Sequence, residues 1–389
     1  MANRLFVCVM MLMFMFMAYS LLSCSQMQNV EQGGLCQYVD TRVGTAASRM
    51  QTAGRFGKGS EEYGQTLPAV LEPNGMNFWT AQTQHTELKC KAPYYYADSL
   101  IQGFRNSHWI VGGCTQDYGS MTLFPATDII DCTPQGRAVE FVHGDEVARP
   151  DYYSVKMKGN GVLAEMTGKS RSAIFRFTYP EDSCAFLIVN PNSDEGEGFV
   201  ELDTLHKEIR GYNPIHRIYQ GKGLPTGHSG YFVVKYSDEI ESYGTYCNDA
   251  IVEGAMSVGE RKGIGVYVRF KNTGEPVIVR AASSFVSVEG ARKNLEAEIP
   301  HQDFDVTRNE LADVWEQHLG RVKVETSDTT HLRKFYGSLY RTSFLPRTVN
   351  DVDGSYPAFS CGRATHSSQT YYDDFSMWDT YRALHPLLV

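Results

Sequence analysis

The sequence predicts a mainly β protein, a large antiparallel β-sandwich followed by the first part of a helical domain. Between about Cys36 and Pro300, short apolar segments alternate with turn signals, and no helical pattern separates them. From about residue 290 onward, apolar residues recur at helical spacing. The 389 residues, 42% of them hydrophobic and 21% charged, have a globular composition and suffice for one large or two ordinary domains.

Two kinds of segment indicate the strands. Residues 173–179 and 263–272 alternate apolar and polar side chains, which is typical of half-buried antiparallel strands. Other segments are more continuously apolar and suit strands buried inside a two-sheet sandwich: 184–191, 230–238 and 276–290. Glycine-rich turns such as 158–161 and 196–198 separate them.

The helical part begins with a short helix over residues 289–299. Residues 305–322 and 329–344 then carry apolar side chains on one helical stripe, for which core packing is the expected role. The stripe residues are Leu311, Val314, Trp315 and Leu319 in the first segment, and Leu332, Phe335, Tyr336, Leu339, Tyr340 and Phe344 in the second. A turn at 350–356 leads to a third helix that begins near Ser376. Because the chain stops on Leu387-Leu388-Val389, we expect a truncated helical domain.

The N-terminus predicts export. Arg4 precedes an uncharged apolar run from Phe6 to Leu22, which is the pattern of a secretory signal. The run ends in Leu-Leu-Ser-Cys and resembles a bacterial lipobox, in which Cys24 is lipidated and becomes the first mature residue. Ordinary secretion and an uncleaved membrane anchor are the alternatives. Each of them exports the rest of the chain.

Charge and cysteine content exclude other classes. The net charge of −9 argues against nucleic-acid binding, which needs a concentrated basic surface. Seven cysteines remain beyond the signal, an odd number with wide spacings and no CxxC, so neither a disulfide framework nor a zinc site is expected. No partner for Cys114 is evident. At least one thiol stays free or pairs between chains.

Several motifs give only a structural prediction. Residues 57–64 are glycine-rich but lack the strand-loop-helix context of a phosphate cradle. Residues 351–354, Asp-Val-Asp-Gly, lack the later carboxylates of a calcium loop, and a turn is favoured. Asp373 and Asp374 are adjacent, and a role at a helix N-terminus is favoured over a catalytic pair.

Three stretches carry candidate binding residues. Residues 64–83 have irregular backbone before Trp79, which either stacks on a sugar face or belongs to the core. In residues 103–119, Gly112-Gly113 permits close backbone approach, and His108, Trp109 and Asp117 supply polar and aromatic groups. Near the C-terminus, Trp378 and Asp379 precede Arg382 by one turn. The Asp379–Arg382 spacing fits an ion pair or a bidentate clamp for adjacent hydroxyls.

Six blocks in collinear order resemble the signatures of glycoside hydrolase family 92, the bacterial calcium-dependent exo-α-mannosidases. They span about residues 36 to 389: 38–45, 64–76, 101–125, 283–300, 335–347 and 371–387. The resemblance implies an N-terminal β-sandwich, linker helices and an (α/α)6 barrel. We therefore expect a signal peptide at 1–24, the sandwich at 25–304, linker helices at 305–345 and the start of a truncated barrel at 346–389.

The resemblance also implies a chemistry. Terminal α-mannosides are hydrolysed with inversion by a general acid and a general base roughly 6.5–9.5 Å apart, and a calcium ion binds the mannose hydroxyls. In the family the acid, the base and the calcium ligands come from barrel segments beyond residue 389. No catalytic or metal-binding residue is therefore assigned in this chain, and the chain alone is expected to be inactive.

By the same resemblance, Trp79 and the His108–Asp117 loop border the sugar site, and Trp378, Asp379 and Arg382 lie at its base. Expected partners are mannose-containing glycans, with α-1,2-linked mannose of N-glycans or mannan as the expected linkage. Thr41-Arg42 and the Gly103–Trp109 block depart from the common family forms, which leaves the linkage open. The expected location is the outer membrane, the cell surface or the periplasm, with membrane contact only through the lipid anchor. The alternative function is a non-catalytic carbohydrate-binding surface lipoprotein.

Overall fold

Two antiparallel sheets stacked face to face form the body of the protein. The computed structural model describes residues 34–48, 64–84, 90–129, 131–216, 223–358, 364–375 and 380–389. Its strands, in chain order, are β1 Ala69–Val70, β2 Phe78–Gln82, β3 Leu100–Ile101, β4 Gly103–Ser107, β5 Met121–Ala126, β6 Val139–Glu140, β7 Glu146–Ala148, β8 Tyr153–Lys156, β9 Leu163–Gly168, β10 Ser172–Thr178, β11 Ala185–Pro191, β12 Phe199–Asp203, β13 Glu208–His216, β14 Pro225–Tyr236, β15 Ile240–Cys247, β16 Ala250–Glu253, β17 Ser257–Gly259, β18 Ile264–Phe270, β19 Val277–Ser284, β20 Arg347–Thr348, β21 Ser355–Pro357, β22 Ala364–His366 and β23 Tyr372–Asp373.

One sheet has eight strands in the order β1-β2-β4-β5-β11-β18-β15-β16, and the other has nine in the order β17-β12-β13-β14-β19-β10-β9-β8-β7. Three two-stranded ribbons, β3-β6, β20-β23 and β21-β22, complete the described strands. The mainly β fold predicted from the turn-separated apolar segments is therefore confirmed.

Aromatic rings from both sheets meet in the core. Trp79 of β2 lies edge-on to Phe175 of β10 with 5.8 Å between ring centroids, and Phe104 of β4 lies 6.0 Å from Phe177 of β10. Edge and tilted arrangements suit the ring quadrupoles and fill the space between the sheets. The register of β2 on β4 pairs Trp79 with Asn106, which fixes the position of the tryptophan along the sheet.

The predicted strands are found, but β10 and β18, both predicted as half buried, are buried along most of their length, with only Arg269 of β18 partly exposed. The apolar segment 184–191 forms β11, which is buried along its whole length in the middle of its sheet. Segment 173–179 forms β10, predicted as half buried, yet Ile174 on its outer side is also buried. That outer face is covered by a helix, because Ile174 packs with Ala291 and Leu295. The alternation of apolar and polar residues along a strand does not indicate whether a helix later in the chain covers the outer face of that strand.

The described helices are α1 Val288–Glu298, α2 Phe304–Leu319, α3 Thr329–Thr342 and the short α4 Leu384–Leu388. Ser287, Asp303 and Asp328 cap the first three, each accepting a backbone N–H of the first turn. The predicted stripes lie inward, with Leu311, Trp315, Leu319, Leu332, Tyr336, Tyr340 and Phe344 buried. Trp315 also donates from Nε1 to the carbonyl of Leu71 at 2.8 Å, which ties α2 to the sandwich.

A disulfide joins Cys90 to Cys114 across 24 residues, a pair that the sequence did not indicate. Cys90 lies in a different loop from Cys114, and the spacing follows no motif from which the pair could have been read. Cys36, Cys132, Cys184 and Cys247 are free thiols.

The signal segment with Cys24, most of the glycine-rich stretch 57–64, Cys361, Trp378 and Asp379 lie outside the described residues. Among the helices that the structure describes, none has the length and apolar character needed to cross a membrane.

Candidate functional site

One side of the candidate site is a tight turn, which the Pro-Asn-Gly sequence at residues 73–75 favours. Pro73 and Asn74 occupy its centre, and the N–H of Gly75 donates to the carbonyl of Glu72 at 2.9 Å. Asn74 has a φ of +59°, and proline followed by a residue with positive φ is the type II pattern. The irregular backbone predicted before Phe78 is therefore a β-turn that leads directly into β2.

This turn holds the segment after α3. The N–H of Asn74 donates to the carbonyl of Ser343 at 2.7 Å, and the carbonyl of Asn74 accepts from the N–H of Thr348 at 2.9 Å. The Asn74 side chain donates from Nδ2 to the carbonyl of Pro346 at 2.7 Å. Two chain segments more than 260 residues apart are thus joined by backbone geometry, with Arg347 between them.

Arg347 is buried and uses its whole guanidinium. Its Nε donates to Oδ2 of Asp374 at 2.7 Å, and Nη2 contacts the same oxygen. Nη2 also donates to the carbonyl of His108 and to the Tyr118 hydroxyl, each at 2.8 Å, while Nη1 lies 3.4 Å from the carbonyl of Met76. We call Met76, His108, Tyr118, Arg347 and Asp374 the Arg347 junction.

The electrostatics of the junction keep the arginine charged. Burial by itself lowers the pKa of Arg347. The Asp374 carboxylate and the Tyr118 oxygen together raise this pKa by more than burial lowers it, so the net shift is upward. The guanidinium also lies 5.0 Å from the Phe78 ring centroid, a favourable cation–π contact. Asp374 itself has a φ of +63°, which is uncommon for a non-glycine residue.

His108 lies inside the junction rather than on its surface. Its side chain is fully buried, with Nδ1 2.7 Å from the carbonyl of Tyr118 and Nε2 2.7 Å from Oδ1 of Asn77. Burial and the Arg347 charge lower the His108 pKa to about 3, so the ring is neutral at physiological pH. His108 therefore holds the loop together and offers no free nitrogen to a ligand in the described chain.

Asp117 is also internal. Its Oδ2 lies 3.1 Å from Nη1 of the buried Arg105, and its Oδ1 accepts the N–H groups of His108 at 2.7 Å and Tyr118 at 2.9 Å. The carboxylate thus shapes the loop and compensates a buried charge. Gly112, with a φ of +79°, has no atom within 4 Å of the position of a Cβ, so within the described chain it serves the loop conformation, and its close approach to a ligand or a neighbouring lobe stays a prediction.

Trp79 is a core residue, with 0% of its side chain exposed. The expectation that it is exposed on a loop is corrected, because β2 starts at Phe78, directly after the turn, and Trp79 faces the opposite sheet. Its ring has no face available for a sugar in this structure, which is the core alternative that the sequence left open.

Arg382 is exposed beside α4, and its Nε donates to the Tyr381 hydroxyl at 3.0 Å. Trp378 and Asp379, the other predicted residues at the base of the site, lie outside the described residues. The spacing-based pair of Asp379 and Arg382 therefore stays a prediction.

Sequence reasoning missed Arg347, Tyr118 and Asp374 as a unit. All three lie in the blocks quoted above, within 335–347, 101–125 and 371–387, but nothing local connects them. The neighbouring Asp373 is half buried, and burial together with the Asp374 charge raises its pKa. Asp374 of the junction and the neighbouring Asp117 are each paired with a buried arginine, Arg347 and Arg105.

The surface beside the junction carries aromatic and polar groups. Tyr118 and His228, both partly exposed, flank the Phe285 ring at centroid distances of 6.0 and 6.2 Å. Burial lowers the pKa of His228, which favours a neutral ring that can exchange hydrogen bonds with hydroxyls.

No group of three or more metal-ligating side chains occurs among the described residues. Residues 351–354 form a turn, as predicted, in which Asp351 is buried and accepts from Ser284 Oγ at 2.6 Å and Asn294 Nδ2 at 2.7 Å.

Comparison with known proteins identifies both parts of the chain. Residues 38–284 match the family model described as glycosyl hydrolase family 92 N-terminal domain, and residues 290–389 match the one described as glycosyl hydrolase family 92 catalytic domain.

Solved structures agree. A family 92 inverting mannosidase from Bacteroides thetaiotaomicron is 29% identical with a TM-score of 0.81, and covers 92% of this chain and 46% of its own. A family 92 α-mannosidase from the same organism is 26% identical with a TM-score of 0.78, at 92% and 48% coverage. An uncharacterized secreted glycosidase from Arthroderma benhamiae is 25% identical in an alignment 384 positions long, which covers 90% of this chain and 46% of the relative. The chain thus spans about half the length of these relatives, and it belongs to glycosyl hydrolase family 92.

Proposed function

We propose that this chain supplies the sandwich side of the sugar site in an exo-acting α-mannosidase that hydrolyses mannose-containing glycans with inversion. One observation carries the proposal. The Arg347 junction joins the 72–76 turn, the 108–119 loop and the segment 371–375 at one surface, directly before Trp378 and Asp379. Support for mannose as the substrate comes from two of the similar solved structures, which are named as an inverting mannosidase and an α-mannosidase.

In this proposal the chain positions sugar and does not transfer protons. Asp374 of the junction is paired with Arg347 and the neighbouring Asp117 with Arg105, so neither carboxylate is free to protonate a leaving oxygen or to activate water. The general acid, the general base and the calcium ligands belong to the part of the catalytic domain that this chain does not span. Calcium supplies positive charge for the mannose hydroxyls when it is bound there.

Export is part of the same proposal. The apolar run Phe6–Leu22 and the lipobox-like ending at Cys24 support a lipid-anchored protein at the bacterial surface or in the periplasm. The fungal relative, named as secreted, supports the coarser statement that the protein acts outside the cytoplasm. Metabolic labelling with a palmitate analogue, lost in Cys24→Ser, tests the anchor.

A chimera tests the activity. Residues 38–389 replace the matched segment of the Bacteroides thetaiotaomicron inverting mannosidase, and hydrolysis of aryl glycosides is followed by NMR of the anomeric proton. We expect calcium-dependent release of mannose from the α-mannoside with inversion, and cleavage of α-1,2-linked mannobiose in preference to the α-1,3 and α-1,6 isomers.

Two outcomes contradict the proposal. A folded chimera that hydrolyses another aryl glycoside and spares the α-mannoside excludes mannose as the substrate. Calcium-dependent release of mannose by the purified 389-residue chain alone contradicts the assignment of the acid and base to the other half.

A further inference from the structure

A polar cavity lies on the sandwich, formed by residues none of which belongs to the Arg347 junction. It encloses about 180 Å³ at the place where the ends of β11, β15 and β18 meet the loop 133–135. Its walls are mainly amide and hydroxyl side chains together with one tyrosine ring. The lining residues that matter are Gln135, Asn190, Asp194, Tyr246 and Asn248.

Two glycines at the start of β18, Gly263 directly before the strand and Gly265 within it, make room for this wall. A Cβ on Gly265 would overlap the Tyr246 ring, and a Cβ on Gly263 would overlap Oδ1 of Asn248. Gly263 has a φ of +67° and Asn248 a φ of +54°, so the backbone is left-handed on both sides of the contact. The backbone N–H of Asn248 donates to the carbonyl of Gly263 at 2.7 Å, and this bond holds Asn248 at the edge of the cavity. The Gly-Ile-Gly sequence at 263–265 is therefore fitted to the two side chains that line the cavity.

A buried arginine stands behind the same wall. Arg137 is only 5% exposed, donates from Nη1 to Oδ1 of Asn190 at 2.7 Å and contacts the Tyr246 hydroxyl at 3.5 Å. Its Nε donates to the carbonyl of Gln102 at 2.9 Å. Among the described residues, Nη2 of Arg137 has no hydrogen-bond partner, and the guanidinium carbon lies 5.5 Å from the Phe124 ring centroid. A buried donor without an acceptor is costly, and a ligand oxygen beside Asn190 and Tyr246 would lie next to this guanidinium.

The chemistry of the wall suits a hydroxyl-rich ligand. Amides offer both donors and acceptors, which hydroxyl groups need, and the ring edge of Tyr246 suits a carbon skeleton. Whether the ligand is neutral or anionic is decided by the sulfate arm of the experiment below, because the buried Arg137 lies behind the wall and Asp194 lies in it. A cavity of about 180 Å³ has room for one small molecule.

We propose that this cavity binds one pyranose ring of a glycan, as a second sugar site remote in sequence from the Arg347 junction. It would let the sandwich hold a branch of the glycan independently of the catalytic half. The choice of a mannoside as first probe rests on the proposed function, whereas the site itself does not.

Ligand-observed saturation-transfer NMR on the 389-residue chain tests the site, with the methyl α-pyranosides of mannose, glucose and galactose titrated separately. We expect saturation transfer to at least one of them. The double variant Asn248→Gly/Gln135→Ala weakens that binding about fivefold or more, because two amide contacts are removed while glycine keeps the φ of Asn248. Gln317→Ala, at an exposed glutamine of α2, is the matched control and leaves binding unchanged.

The outcomes separate this site from the junction. Absence of saturation transfer from all three pyranosides overturns the inference and leaves the chimera experiment untouched. Binding that is displaced by sulfate, or lost in Tyr118→Phe but kept in the double variant, also overturns it, since the ligand is then an anion or occupies the junction. Circular dichroism of each variant establishes that it is folded before its binding is compared.

Discussion

At the scale of single residues, the Arg347 junction depends on a charge that has almost no contact with water. The side chains of Arg347 and Asp374 are 2% and 7% exposed. Such a pair gains little over an apolar one, but removing a single partner leaves the other charge buried without compensation. The junction also holds two carbonyls and the Tyr118 hydroxyl, which lose their donor at the same time.

Arg347→Met tests this dependence. We expect a loss of about 3–5 kcal/mol in the free energy of unfolding, measured by urea denaturation, because the Asp374 carboxylate is left unpaired. The double variant Arg347→Met/Asp374→Asn should recover part of the loss, since no charge then remains buried. Arg382→Met, at an exposed arginine, should change stability by no more than about 0.5 kcal/mol. A loss below about 1 kcal/mol in the Arg347 variant would show that the junction is not a structural centre.

Asp351 provides a test by pH. Burial raises the pKa of its carboxyl to about 6, although hydrogen bonds from Ser284 and Asn294 oppose the shift. The unfolded value is about 3.9, so the folded state binds the proton more tightly. The stability contributed by this proton is complete below about pH 4 and is lost as the pH rises through about 6.

Asp351→Asn removes this titration. Between about pH 4 and pH 7, the free energy of unfolding of the variant relative to wild type should rise by about 2–3 kcal/mol. Urea unfolding of both proteins at several pH values measures the difference. An unchanged difference across this range would mean that the Asp351 carboxyl titrates normally in the folded protein.

At the scale of elements, α1 closes the outer face of the nine-stranded sheet and also meets the segment after α3. Ala291, Leu295 and Ile299 pack on Ile174 and Val233, while Asn294 donates to Asp351 and accepts the N–H of Val352 at 2.8 Å. Gly290 is where α1 comes closest to Asp351 and Ser284. A Cβ on this residue would overlap Oδ2 of Asp351 and lie 2.7 Å from Ser284 Oγ. The helix therefore links the sandwich to the segment that carries the junction.

Two glycine substitutions with opposite signs test this contact. Glycine in a helix interior normally costs about 1 kcal/mol relative to alanine. Gly337→Ala on α3 should stabilise by about 0.5–1 kcal/mol, since its Cβ would approach only the Arg341 guanidinium, at 3.6 Å. Gly290→Ala should instead destabilise by about 1–3 kcal/mol, because Asp351 must move. Thermal unfolding of both variants decides the point, and a stabilising Gly290→Ala would rule out the close packing.

At the scale of the whole molecule, the described C-terminal residues expose apolar side chains together. Phe375, Tyr381, Leu387 and Leu388 are 50–57% exposed, and they lie close in sequence beyond the junction. Exposed apolar side chains in number favour association with another protein surface.

We therefore expect the chain to self-associate with increasing concentration, as measured by sedimentation velocity. Leu387→Gln/Leu388→Gln should shift the distribution toward the monomer. The matched control is Leu205→Gln/Leu224→Gln, which replaces two leucines that are even more exposed, at 84% and 70%, but lie elsewhere on the surface. If both pairs have the same effect, the C-terminal residues are not the association surface.

The elements of the fold were predictable because their signals are local. Alternation along residues 173–179 and the stripe Leu332–Phe344 each depend on a few neighbouring residues, and both became the predicted elements. The candidate site was less predictable. Trp79 looked like a loop residue beside Pro73 and Asn74, and only the pairing of β2 with β4 turned it into the core.

By itself, the sequence determined the succession of strands and helices and, through six collinear blocks, the family. Tertiary structure alone decided the Cys90–Cys114 pair, the burial of His108 and Asp117, and the meeting of Arg347 with Tyr118 across 229 residues. The physical reason is that periodicity reports which face of an element is buried. A buried ion pair or a disulfide depends on which distant segments the folded sheets bring together.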